Sequence, residues 1–192
     1  MASILRKIYM DAKTQKLSQR IMDYSPEVYA HCQRMALMAA QLYRFSGLDI
    51  EKEELVRGTL LHDVGKITIP KNILMKPGPL TPEERKIVNK HPENGLQFLD
   101  GFSQEVQDIC LLHHKKCNGD GYPSNINREI PDYVKFVTTL DIYDAMTNKR
   151  CYKPIIKDNE VLNELNNEGL NNSLDSHFVN LLHYLPYVES LI

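Results

Sequence analysis

Two histidines stand side by side at His113-His114, and a His-Asp pair, His62-Asp63, precedes Val64-Gly65-Lys66. Imidazole and carboxylate groups beside glycine-bearing turns suit divalent-metal hydrolysis better than core packing. Neighbours on a regular helix point about 100° apart. A His-Asp dipeptide therefore converges on one ion, or on two ions joined by the carboxylate, only where the helix ends, and Gly65 is expected to end it there. Glu27 and His31 lie four apart, on one helix face. Asp141 closes the apolar run Phe136-Val137-Thr138-Thr139-Leu140, where an unpaired carboxylate would be costly to bury. His91 sits at a helix junction before Pro92. Such ligands suit Fe, Mn, Zn, Ni or Co far better than Ca, and the absence of clustered thiolates argues against a closed structural zinc site.

These residues need a scaffold, and the residue pattern predicts helices throughout. The segment Ile4 to Tyr24 reads as a helix or broken helix on the surface, able to cap the domain or pair with a second copy. Ser25-Pro26-Glu27 is a start signal, with a hydroxyl at the N-cap and Pro at the first position. The helix it opens should run to about Phe45 and end at Gly47. A second helix follows Asp49 and leads to His62-Asp63. Ile67 to Pro79 reads as a long loop. Thr81-Pro82-Glu83-Glu84 forms a capping box for a helix over 83–89, and Pro92 starts another. Ser103 caps a helix ending at the histidine pair, ahead of the Gly119/Gly121 turn, whose glycines serve positive φ or close approach. Further helices are expected from Pro131 to Met146, Asp158 to Asn166 and Asp175 to Leu185, with 166–172 a polar connector.

The 192 residues suit one domain, which at this size buries roughly 70% of its unfolded surface without disulfides. Helix formers outnumber alternating Val/Thr-rich runs, so the fold class is all-α. A net charge of -2 and a pI near 6.4 argue against a broad duplex-binding surface, while a small anionic ligand stays open. Cys32, Cys110, Cys117 and Cys151 form no CxxC pair, and no signal segment or long apolar span is seen. The reading is reduced thiols in a cytoplasm, with no membrane partner. His177, His183, Cys32 and Cys117 are taken as ordinary packing or surface residues.

The ordered series His31, His62-Asp63-x-Gly65-Lys66, His91-Pro92, His113-His114, Gly121-Tyr122-Pro123 and Asp141 resembles the HD-GYP family over roughly residues 25 to 185. Supporting stretches are Leu60 to Ile67, Leu80 to Glu83 and Tyr143 to Arg150. The resemblance implies a compact HD-type helical domain over 25–192, with 1–24 an N-terminal helical extension. It implies hydrolysis of cyclic di-GMP to linear pGpG or GMP at two or three divalent ions, with Fe or Mn favoured and Zn, Ni or Co open. Carried over by position, the ligands are His31, His62, Asp63, His91, His113, His114 and Asp141. Glu27 matches an extra ligand of trinuclear members, which favours three ions.

With that ligand set, a hydroxide bridging ions about 3.5–4 Å apart is the expected nucleophile, and Asp63 the expected bridge. Lys66 would place an ammonium beside the scissile phosphate or leaving oxygen. Arg150 offers a phosphate a planar fork, and Tyr122 could line the substrate groove. A diguanylate cyclase or other signalling protein is a candidate partner, and a homodimer is open. Lys115, Cys117 and Asn118 stand where the family usually has an acid, an aromatic and Asp, and Cys151 where Pro is common. The altered loop keeps alive a catalytically weak, metal-bound receptor or partner-binding module, and a phosphodiesterase for another cyclic dinucleotide.

Overall fold

The computed structural model describes residues 11–148, 158–170 and 172–185. Its helices are α1 (Ala12–Tyr24), α2 (Pro26–Ser46), α3 (Lys52–Leu61), α4 (Lys71–Leu74), α5 (Pro82–Val88), α6 (His91–Gly95), α7 (Gln104–Leu112), α8 (Asp132–Thr147), α9 (Asp158–Leu170) and α10 (Ser176–Leu181). Short 3-10 turns cover Val64–Thr68, Leu96–Phe98 and Leu182–Tyr184. Among the described residues there is no β-strand, only an isolated antiparallel bridge between Lys115 and Gly121. The all-α expectation holds.

Local chemistry sets the helix ends. Ser25 Oγ accepts from the Val28 amide, Pro26 takes the first turn of α2, and Gly47 ends the helix at φ 67°. Thr81 and Glu84 close a reciprocal capping box on α5. Ser103 caps α7, which stops at Leu112 so that His113 occupies its C-cap.

The long helix α2 packs against α1, α3, α8 and α10. Its buried Met35, Ala39 and Leu42 recur at helical spacing and join Ile109, Leu112, Val134, Phe136, Val137 and Leu140 in the main core. Alanines at 36, 39 and 40 keep that face of α2 narrow, and Ala36 and Ala40 share a second cluster with Val56 and Leu60 of α3. Leu17 and Ile21 of α1 pack with Leu61, Val64 and Val106. Buried positions occur on successive residues of α8 from Phe136 to Asp141, so this helix is enclosed on most sides, and Asp141 enters the interior with it.

Two expectations are corrected. The segment 67–79 is not a plain loop: the 3-10 turn extends to Thr68, and Pro70 opens the one-turn helix α4, which buries Ile73. The polar connector over 166–172 is also shorter than expected, because α9 runs on to Leu170. Polar asparagines leave a helix intact when its apolar side, here Val161 and Leu165, is held by the core.

Candidate metal centre

Five of the seven clustered residues stand at helix ends, and two come from helix interiors. His62 and Asp63 occupy the turn between α3 and the first 3-10 segment, so their side chains escape the divergence imposed on helical neighbours. Gly65 permits this turn through proximity: a Cβ there would lie 1.9 Å from the His91 carbonyl oxygen. His91 opens α6, His113 and His114 follow α7, His31 comes from α2, and Asp141 from α8.

Asp63 is buried at the centre, and its two oxygens face different imidazoles. Oδ1 lies 3.1 Å from His91 Nε2 and 3.7 Å from His113 Nε2. Oδ2 lies 3.4 Å from His62 Nε2 and 3.8 Å from His31 Nε2. Asp141 reaches His31 Nε2 at 3.2 Å through Oδ1 and His114 Nδ1 at 3.6 Å through Oδ2. Two groupings result, with donor atoms within 4.8 Å of one another: Asp63, His91, His113 and His114, then His31, His62 and Asp141.

The ring orientations are fixed from outside. Nδ1 of His62 faces the Thr59 carbonyl at 2.7 Å, that of His91 the Val88 carbonyl at 2.8 Å, and that of His113 the Cys110 carbonyl at 2.9 Å. His31 Nδ1 faces Asp144 Oδ2 at 2.6 Å. A carbonyl or carboxylate holds the proton on Nδ1 and leaves the Nε2 lone pair for the centre.

The centre fits cations. His31 Nε2, His62 Nε2 and Asp63 Oδ1 are buried without a hydrogen-bond partner, and His91 Nε2 approaches His113 Nε2 to 3.3 Å. Opposed lone pairs and orphaned buried acceptors are costly unless a cation lies among them. The mixed imidazole and carboxylate set suits a divalent first-row metal.

The electrostatics agree. Burial would raise the carboxyl pKa of Asp63, but the Lys66 ammonium and His62 hold it well below the ordinary range. Burial opposes charge on His62, yet Asp63 brings its pKa well above normal. Burial and the adjacent histidines keep His113 well below normal, and burial lowers His114 to about 3. Burial likewise works against Asp141, which His31 nevertheless holds well below its usual value.

The structure thus brings together His31, His62, Asp63, His91, His113, His114 and Asp141. Glu27 does not join either grouping: it is exposed in the first turn of α2. Lys66 Nζ lies 2.6 Å from Asp63 Oδ2, beside the centre. The Tyr122 ring centroid is 4.5 Å from that of His114 and 6.2 Å from that of His91, at the edge of the cluster. Arg150 and Cys151 lie outside the described residues. His177 bonds the Ser46 carbonyl, and His183 is exposed.

Two residues escaped the sequence reading as site components. Buried Asp144 accepts from Arg34 Nε and Nη2 at 2.7 and 2.8 Å as well as from His31; its place three residues after Asp141 was the available signal. Cys32, read as packing, forms a further potential ligand grouping with His62 and Asp63, for which adjacency to His31 was the only hint.

A family model described as "HD domain" matches residues 15–178. The chain is 35% identical over 155 residues to the 3'3'-cGAMP-specific phosphodiesterase 2 of Vibrio cholerae, covering 78% of this chain and 30% of that protein. It is 35% identical over 133 residues to a cyclic di-GMP phosphodiesterase of Thermotoga maritima, covering 66% and 36%. The chain therefore spans about a third of the length of these relatives. The fold is similar to the HD domain of the L. monocytogenes phosphodiesterase PgpH, with TM-score 0.66 at 18% identity, covering 91% of this chain and 96% of that one. With the model matching most of its length and the histidine, aspartate and Gly-Tyr-Pro series in order, the chain belongs to the HD domain family and resembles its HD-GYP members.

Proposed function

We propose that this chain is a metal-dependent phosphodiesterase that hydrolyses cyclic di-GMP to linear pGpG, GMP or both. The observation that carries the reading is the buried Asp63 carboxylate presenting one oxygen to each of two imidazole groups. His31, His62, Asp63, His91, His113, His114 and Asp141 would hold two or three divalent ions, with Fe or Mn favoured and a third drawing on Glu27. Such ions, when bound, supply a water nucleophile active at neutral pH and neutralise charge on the phosphoryl oxygens. The residues 25–192 are the HD-GYP domain in this proposal, and 1–24 its extension.

The protein's own groups do the remaining work. Imidazoles locked by carbonyls hold their positions while substrate enters, so little reorganisation accompanies the reaction. Lys66 carries an ammonium within reach of Asp63 and of a phosphate placed beside it, where it balances charge and holds a proton at Nζ for the leaving ribose oxygen. Tyr122 offers a flat surface next to His114 for a base or ribose, and Arg150 is the proposed phosphate fork.

A second reading, hydrolysis of another cyclic dinucleotide, is favoured by relatives named 3'3'-cGAMP-specific phosphodiesterases and by a fold neighbour solved in complex with cyclic-di-AMP. No helix among the described residues is long and apolar enough to cross a membrane. A cytoplasmic setting is part of the proposal, with a diguanylate cyclase, another signalling protein or a second copy as partners to test.

The test is hydrolysis of cyclic di-GMP, 3'3'-cGAMP and cyclic di-AMP by anaerobically purified protein loaded separately with Fe(II), Mn(II) or Zn(II). Metal-dependent pGpG or GMP formation, lost in His62→Ala and Asp63→Ala, is expected. Faster turnover of another dinucleotide selects the second reading. Stoichiometric metal with no turnover of any of the three overturns both in favour of a receptor.

A further inference from the structure

The turn that follows His114 contains a charge the metal centre does not use. Lys115 comes directly after the second histidine, yet it is only 6% exposed. Its Nζ donates to the Gly119 carbonyl at 2.9 Å, and among the described residues no carboxylate pairs with it. An ammonium has three N–H donors, so one carbonyl leaves two of them and the whole charge unanswered. A buried cation in that condition is costly unless an anion or water shares its surroundings.

Lys115 lines a cavity of about 530 Å³, and none of the seven clustered metal-centre residues lines it. Arg128 and Lys135 line it too, with Ser124 and Asn127, and Glu129 is the lone acid in the wall. The two outer cations are already paired, Arg128 Nη2 with Asp108 Oδ1 at 2.5 Å and Lys135 Nζ with Asp132 Oδ1 at 2.7 Å. Those pairs fix their positions. Lys115 supplies the uncompensated charge. The volume falls in the range of small-molecule sites, roughly 300–1,000 Å³. Lys115 supplies the charge, and N–H donors of Arg128 and Lys135 on separate segments suit a tetrahedral phosphate better than a planar carboxylate, because phosphate oxygens accept from several directions at once.

We propose that this cavity is a second ligand site, distinct from the metal centre, and that it takes a phosphate or phosphomonoester through Lys115, Arg128 and Lys135. The site does not depend on the hydrolytic reading, since binding is measured without turnover. Inorganic phosphate and 5'-GMP are the two probes, titrated calorimetrically into the full chain and into Asp63→Asn, which disables the metal centre as a phosphate acceptor.

About one phosphate or GMP per chain should still bind to Asp63→Asn. Combining it with Lys115→Met should raise that Kd at least tenfold, Lys135→Met severalfold, and Lys115→Arg should restore binding. The probe that binds more tightly identifies the source, free phosphate or a phosphomonoester. If neither probe binds to Asp63→Asn, or if Kd is unchanged in both methionine variants, the site does not exist. Should a buried variant fail to fold, Lys135→Met in the otherwise unaltered chain, stripped of metal with chelator, decides by the same criterion.

Discussion

Asp144→Asn should cripple metal binding although Asp144 joins neither ligand grouping. Asp144 Oδ2 accepts from His31 Nδ1 at 2.6 Å and Arg34 Nη2 at 2.8 Å, while Oδ1 accepts from Arg34 Nε at 2.7 Å and Asn148 Nδ2 at 3.0 Å. All four partners donate, so the site wants two acceptors and a negative charge. An asparagine supplies one acceptor. Whichever way its amide turns, the NH2 faces a guanidinium N–H. In one orientation it also faces Nδ1 and drives His31 to the tautomer protonated on Nε2, the nitrogen aimed at the centre; in the other, the imidazole loses the anion that makes it a strong ligand. Losing such an outer partner typically costs about 10–100-fold in metal affinity, or ~1.4–2.7 kcal/mol. The assay is competition of folded protein against a chromophoric chelator for Mn(II) or Zn(II), with circular dichroism to confirm helicity. Arg34→Gln, which keeps the aspartate on His31, should lose less. Affinity in Asp144→Asn within about threefold of the parent would refute the argument.

Other perturbations have defined outcomes. Gly65→Ala forces a Cβ against backbone of His91 and Gly95, so it should destabilise by roughly 1–3 kcal/mol and weaken metal binding as His91 is displaced, read by chemical denaturation and the same competition assay. Metal should stabilise the fold by about 2.7 kcal/mol per independent site when present at 100 times Kd, seen as a rise in Tm that chelator reverses and Asp63→Asn largely abolishes. Asp11→Ala should cost about 1 kcal/mol at neutral pH by uncapping α1. The Thr14 hydroxyl lowers the Asp11 pKa below 3.8, so the ionised cap's contribution is present above 3.8 and fades as pH falls through the folded value; denaturation midpoints of parent and variant should converge there.

The sequence announced what is local. Ser25-Pro26 and the Thr81 capping box place their helices because the caps bond within three residues. The proposed metal ligands were visible by type and order, and the fold gathers seven of the eight, leaving Glu27 exposed outside the groupings. What stayed hidden depends on segments distant in the chain. Asp144 meets His31 and Arg34 only after α8 packs on α2, and the role of Gly65 appears only when α6 is laid against its turn. The burial of Lys115 was likewise unreadable, since a lysine after two histidines in a glycine-rich stretch looks solvated until the turn closes over it. The continuation of α9 past its asparagines reflects core contacts outweighing a composition that favours turns.

The four imidazoles whose Nδ1 atoms are tied to carbonyls or to Asp144 have a kinetic meaning. Their rotamers and tautomers are settled when the chain folds, so an arriving ion meets a finished ligand shell and spends little free energy arranging it. A shell made in advance cannot reshape itself around each ion, so ions of similar radius and charge meet the same fixed donors. For such a shell, affinity follows the general ordering of divalent metals, in which copper and zinc outrank manganese and iron. Occupancy by a weaker-binding, more reactive ion then reflects which ions reach the protein first and how slowly they leave, so the history of metal exposure would bear on the proposed activity.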